Sequence, residues 1–561
     1  MQSLRDGKGI AETSLRTSQR GERMVNKAGR EIPDHVAGYG PIAPFAGAFS
    51  TLPGNICRYA PPVKAVRPGE SKLADSLEDV FRRIPIRDGM TLSFHHHFRN
   101  GDRVVNGVLA VASRMGIKGL KVALSAVFPV HAPLVDHVKT GVVAALDTSY
   151  ISGPVAEAAS RGIFPRPVIL RTHGGRAGAI ETGRLIIDVA FIAAPAADDY
   201  GNINGVEGPS ACGSLGYAFP DAEYARFVVA VTSHVVPYPS TPVSIPQTRV
   251  DYVVKEEEAG DPGGIVSGTT ESTEDAVKLS IAKTAAEVVR AAGLIKDGFS
   301  FQTGAGGASL AAAHFIGRMM EENRATGSFL LGGITGQMVK LLERGIFRKI
   351  LDVQGFDLAA VRSIASNRDH VEIGSSCYAN PFNAGCAVNR LECVLLGATE
   401  IDTDFNVNVV TGSDGVIRGG SGGHSDAAAG AGLTIVVAEL VRGKFPVVLD
   451  RVGTVTTPGE TVDVLVTDRG VAVNPRRSDL SDRLKRAGLP VKDIHDLVRL
   501  GRQRAGAPVA FPAGGDIAAV VEYRDGTVID VVRQPPYYGF MGGGELPRCR
   551  ILAISCSERG T

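Results

Sequence analysis

The sequence has no charge of one sign to spare. Its 60 lysines and arginines face 59 acidic residues, a formal net charge of +1 over 561 residues. That balance lacks the basic footprint that nucleic acid or an anionic membrane surface requires. No run of about 18 uncharged apolar residues occurs, so no spanning helix is expected. Met1 to Glu31 are polar and basic without an apolar core, which does not read as a secretory signal. A cytoplasmic location is expected. Cysteines are few: seven, an odd number, with no Cys-x-x-Cys pair. This suits a reducing compartment and argues against zinc. Cys377 reads as a small buried residue rather than a nucleophile.

Glycine is what the chain has in excess, at 68 of 561 residues, about 12 % where ~7 % is usual. Much of it follows strand-like runs, as in Phe301-Gln-Thr-Gly-Ala-Gly-Gly-Ala-Ser-Leu310. There a strand over 299–303 meets a helix over 308–320 through Gly304, Gly306 and Gly307. A turn that small lets backbone N–H groups approach an anion or a thioester carbonyl, with a helix N-terminus behind them. The spacing fits neither the dinucleotide fingerprint nor the Walker loop, whose lysine is missing.

Strand-like and helix-like runs alternate, which predicts an α/β fold with largely parallel sheets. The clearest helix spans about 273–292, with Ser272 and Asp275 as a capping box. Val277, Ile281, Ala285, Val288 and Ala292 form its apolar face, and Gly293 its C-terminal cap. A boundary there exposes an internal repeat. Ile86-Arg-Asp-Gly89 matches Ile295-Lys-Asp-Gly298, Gly141 matches Gly345, and Ile187-Asp-Val matches Leu391-Glu-Cys. Tyr200-Gly-Asn-Ile-Asn204 is echoed by Phe405-Asn-Val-Asn408. The order is kept and the offset stays near-constant, so two homologous halves are expected. The division is an irregular lead-in over 1–75, halves over 76–292 and 293–534, and an extension over 535–561.

Six stretches carry a wider resemblance: Ser93-Phe-His-His-His-Phe-Arg99, residues 173–183, 199–205, 265–270, 417–426 and 521–530. Spread from about Val25 to Gln534, they resemble the coenzyme A transferase superfamily and, within it, the alpha-subunit family of bacterial citrate lyase. The resemblance implies two coenzyme A transferase-like domains, the first on the citrate side and the second on the thioester side. It implies transfer of an acyl carrier thiol, or of coenzyme A, from acetyl to citrate, with beta and gamma acyl carrier subunits as partners in an oligomer. No permanently bound cofactor and no metal are implied. Many superfamily members attack the thioester with a glutamate just ahead of a helix in the second half. Here Gly332 or Gly333 stands at that place, and Glu343 lies inside the helix. The resemblance therefore implies a mixed-anhydride route. Another coenzyme A transferase, an acyl thioester hydrolase, or a non-catalytic scaffold subunit are the other readings.

That route needs positioning, oxyanion donors and exclusion of water rather than a strong base. Gly306 and Gly307 are the candidate donors, with Gly332 and Gly333 as the facing wall. Gly419, Gly420, Ser421, Gly422 and Gly423 read either as a second thioester cradle or as a solvated loop. His424 reads as a donor to the thioester oxygen or as a structural histidine. For three carboxylates, the candidates at strand ends are His95, His97 and Arg99, then Arg171, His173 and Arg176. A salt bridge is the competing reading of Arg171 and Arg176. Asn202 and Asn204 either orient carboxylates or cap a turn.

Overall fold

A computed structural model describes residues 22–50, 63–265, 273–304, 306–506 and 515–535. Two sheets organise it. The first is built from β1 (Leu73–Ala74), β2 (Thr91–Phe94), β3 (Leu120–Leu124), β4 (Val143–Thr148), β5 (Val168–Leu170), β6 (Val189–Ala194), β7 (Phe227–Thr232) and β8 (Tyr252–Lys255). The second comprises β9 (Phe301–Thr303), β10 (Gly327–Ile334), β11 (Phe347–Gly355), β12 (His370–Glu372), β13 (Cys393–Gly397), β14 (Leu433–Val437), β15 (Val464–Thr467) and β16 (Gly470–Val473). A hairpin of β17 (Ile517–Glu522) and β18 (Val528–Arg533) follows.

The order β5-β4-β3-β2-β6-β7-β8 in one sheet is repeated as β12-β11-β10-β9-β13-β14-β15 in the other, all parallel. The internal repeat is therefore a repeat of topology. It extends to the turns. Gly89 and Gly298, like Gly141 and Gly345, all have left-handed φ, between 71° and 82°. The strands are buried on both faces, as parallel strands between helices must be: all six residues of β6 are inaccessible. Each half has its own apolar core.

The helix expected over 273–292 is Ala276–Ala291. Asp275 caps it, its carboxylate accepting from the N–H groups of Val277 and Lys278, while Ser272 lies outside the described residues. Ile281, Ala285 and Val288 are buried as expected, but Val277 is exposed. Among the described residues, no helix is long and apolar enough to cross a membrane.

The chain ends depart from the expected division. The hairpin β17–β18, placed by sequence with the second half, joins the first sheet: β17 pairs parallel with β5 through Ala519–Val168 and Val521–Leu170. Residues 22–50 are more ordered than a bare lead-in. A short strand at Arg23–Val25 pairs with Glu31–Pro33, and Phe45 packs edge-on against Tyr523 while its N–H donates to Val528. The extension after Gln534 lies, but for Pro535, outside the described residues.

Candidate active site

The central strands β2 and β9 occupy equivalent places, each where the strand order reverses, and such a switch point opens a crevice at the carboxyl end. β2 releases His95, His96 and His97; β9 releases Gly304 to Gly307. All three histidines are buried. His96 Nδ1 lies 2.6 Å from Ser125 Oγ and its Nε2 lies 2.8 Å from Gln354 Oε1 at the end of β11. A histidine of the first half is thus held by a glutamine of the second. His95 and His97 share a hydrogen bond between their Nδ1 atoms, and His97 Nε2 accepts from the Tyr217 N–H at 3.4 Å. His173 packs against Tyr217, ring centroids 4.4 Å apart, and stacks on His96 at 5.4 Å.

Burial depresses the basicity of the whole cluster. It holds His95 at about 4 and His173 at about 3, the latter helped by the Arg176 charge, and keeps His96 and His97 well below the usual range. These rings are neutral near pH 7 and offer hydrogen bonds, not positive charge. His95 Nε2 and His173 Nδ1 make no hydrogen bond to the described residues.

Two nominated arginines are committed elsewhere. The Arg171 guanidinium Nε bonds both oxygens of Asp147, at 3.0 and 2.9 Å, and its Nη1 bonds Glu522 of the hairpin. Arg176 grips Asp221 bidentately, both contacts 2.8 Å, and donates to Ser93 Oγ. Both are internal ion pairs rather than open cations for a carboxylate substrate. Arg99 has left-handed φ of 49°, and its guanidinium lies 4.2 Å from the ring centre of Phe356, which follows β11. Burial lowers it to about 10. Asn202 and Asn204 brace turns. The Asn204 carbonyl accepts from the N–H groups of Val206 and Glu207, and Asn408 does the same for Val410 and Thr411 in the other half. Asn202 likewise bonds Asp198 as Asn406 bonds Asp402.

The glycines divide by what crowds them. Gly306 caps the helix Gly307–Glu322 and faces open space, so the amides of Gly306 and Gly307 stand at a helix start. Gly304 instead donates its N–H to Leu395. Gly332 has left-handed φ of 102° at a bulge in β10, and a Cβ there would stand 3.1 Å from the Gln302 amide. A Cβ on Gly333 would lie 2.3 Å from the Phe356 ring. Gly419 and Gly420 are pressed against Val409 and Ser149 carbonyls, Gly422 lies against His173, and Gly423 against the Tyr378 hydroxyl. Gly422 is bridged to Thr172, so this loop is the seam between the halves, and the close backbone approach accounts for its glycines. Ser421 bonds Ser425. His424 is fully engaged: its Nε2–H donates to the Gly397 carbonyl at 2.8 Å, and Nδ1 lies 2.7 Å from Thr457 Oγ1. No ring N–H remains for a thioester oxygen.

Residues 70–535 match the family model described as "Citrate lyase, alpha subunit". The citrate lyase alpha chain of Klebsiella pneumoniae is 50 % identical over 465 residues, 83 % of this chain and 92 % of that protein. The chain belongs to the citrate lyase alpha-subunit family. The citrate lyase alpha chain of Escherichia coli (strain K12) is 49 % identical over 471 residues, 84 % of this chain and 92 % of its own. The crystal structure of an alpha subunit of citrate lyase from Streptococcus mutans, in complex with citrate, superposes with a TM-score of 0.88 at 47 % identity, covering 91 % of this chain and 99 % of that one. The alpha subunit of a malonate decarboxylase from Acinetobacter baumannii shares the fold, with a TM-score of 0.58 at 16 % identity over 78 % of this chain and 93 % of its own. Citrate lyase alpha chains are the acyl transferase component of citrate lyase, and this chain is a transferase of that kind.

For a citrate lyase alpha chain, sequence reasoning missed the residues that tie the two halves together. Asp426 accepts from Thr172 Oγ1 and the Gly174 N–H, each 2.8 Å away, and burial raises it to about 6. Within the second half, Tyr378 Oη accepts from Gln302 Nε2 at 2.9 Å. Gln302 and Asp426 lay inside stretches singled out by sequence; Tyr217, Gln354 and Tyr378 carry no local signal at all.

Proposed function

We propose that this chain moves the acyl carrier thiol from acetyl to citrate through a citryl–acetyl anhydride, with no glutamyl thioester. A citrate carboxylate oxygen bonds the acetyl carbonyl carbon as the carbon–sulfur bond breaks and thiolate leaves. The thiolate then bonds the citryl carbonyl carbon, the anhydride carbon–oxygen bond breaks, and acetate departs. Both nucleophiles are anionic already, so no proton is moved. What supports this reading is the closure of the places a nucleophilic carboxylate would take: Phe356 lies against Gly333, and the Gln302 amide lies over Gly332. In this reading the amides of Gly306 and Gly307 steady the thioester oxygen, and His95, His97, His173 and Arg99 line the citrate side. The loss of one such donor costs on the order of 3 kcal/mol of barrier. The partners are the beta subunit and the gamma acyl carrier subunit in the cytoplasm, with coenzyme A as a poorer carrier.

The test is consumption of acetyl thioester against a panel of di- and tricarboxylic acids, with intact-mass measurement after acetyl thioester alone. Citrate-dependent acetate release without any protein adduct is expected. An adduct trapped on a glutamate overturns the anhydride route, and indifference to citrate overturns the substrate assignment.

A further inference from the structure

Gln302 is the last residue but one of β9, two positions before Gly304, and only 6 % exposed. One end of its amide donates to the Tyr378 hydroxyl, while Oε1 has no hydrogen-bond partner among the described residues. Buried side-chain amides are nearly always satisfied, so a half-satisfied one beside a glycine bulge calls for something to complete it. The amide carbon stands 3.1 Å and Nε2 3.2 Å from the point where a Cβ on Gly332 would lie. Gly332, at φ of 102°, leaves that volume empty of its own side chain, and Gln302 fills it.

The two ends of an amide differ only in the hydrogen bonds they make and exchange by a half-turn. Tyr378 accommodates either orientation, since a hydroxyl both donates and accepts. Burial raises Tyr378 and keeps its proton in place at neutral pH. Turned so that Oε1 accepts from the Tyr378 O–H, the amide brings its Nε2 hydrogens to the buried position that now lacks a partner, on the residue two positions before Gly304.

We propose that Gln302 is a catalytic residue that donates from Nε2 to the acyl oxygen as negative charge develops there, with Tyr378 as the positioning residue that holds the amide. No bond to Gln302 forms or breaks. The proposal rests on the transferase reading and adds a side-chain donor to the backbone amides of Gly306 and Gly307.

The test compares the full chain with Q302M, which keeps the volume but removes both amide functions, and with Y378F. Steady-state kinetics with acetyl-CoA and citrate should show kcat lowered about 100-fold in Q302M, with KM for citrate within about 2-fold and an unchanged melting temperature. Y378F should fall between. The second measurement is the infrared carbonyl stretch of bound acetyl-CoA labelled with carbon-13. It should move to lower frequency on the wild type and return toward its solution value on Q302M. A folded Q302M that keeps more than half of kcat overturns the proposal. A wild type without citrate-dependent turnover defeats the transferase reading instead, and the spectrum then decides for Gln302: no difference between wild type and Q302M overturns it.

Discussion

Arg171 sits where a substrate cation is expected, at the end of a parallel strand, yet its charge is used internally. Asp147 and Glu522 surround it, and all three side chains are at most 5 % exposed. Removing the cation takes the guanidinium from two buried carboxylates, leaving Asp147 with Lys121 at 3.5 Å and Glu522 with the Tyr39 hydroxyl. R171M is expected to cost about 3–5 kcal/mol of stability, read as a lowered urea midpoint, while kcat per folded molecule stays near wild type. A large loss of activity with stability intact would return Arg171 to the substrate site. The sequence could not have separated these uses, because one partner lies 351 residues away. The histidines after β2 and the glycines after β9 were legible, since strand ends beside turn formers mark a ligand crevice wherever the fold is parallel. Their neutral state was not, because it depends on burial in the folded chain.

The bulged strand β10 shows what an element adds. Its register shifts between Gly332 and Gly333 as it pairs with β11, so successive residues face different neighbours. Gly333 meets the Phe356 ring, whose ring centre lies 4.2 Å from the Arg99 guanidinium. G333A is therefore expected to push Phe356 and displace Arg99, costing about 1–3 kcal/mol as an overpacked site. Steady-state kinetics should show KM for citrate rising several-fold with a smaller change in kcat; an unaltered KM would separate Arg99 from citrate. The helix Ala276–Ala291 was readable to within a turn from its apolar period and its cap. The hairpin β17–β18 was not assignable to a sheet, because a run of apolar residues states that a strand is buried, not which distant edge it joins.

The whole molecule carries its repeat openly, in strand order and in paired turns, and short sequence matches at near-constant offset were enough to find it. Its seam is acid-sensitive. His95 and His424 are held at about 4 and His173 at about 3, below the ~6.5 of an unfolded chain. The folded state therefore refuses protons that the unfolded state accepts. Their contribution is complete above pH 6.5 and is lost as pH falls from there through the folded values. Asp426 opposes them by one proton, since its folded value of about 6 exceeds the ~3.9 of an unfolded aspartate. His96 and His97, held below the usual range by the same burial, act in the same direction, so stability is predicted to fall as pH drops below about 6.5. Urea midpoints should hold level from pH 8 to 7 and then drop; a midpoint unchanged down to pH 5 would contradict neutral buried histidines.

The clasp between the chain's two ends has a topological consequence. Phe45 donates to Val528 and Pro44 bridges to the same residue, while β17 lies against β5. The first half is thus built from segments on both sides of the second, and the second half is an insertion hung from it by both of its own ends. No single break in the chain frees one half from the other. The seam that holds the histidines and the glycine loop is accordingly kept in register by connectivity as well as by contact.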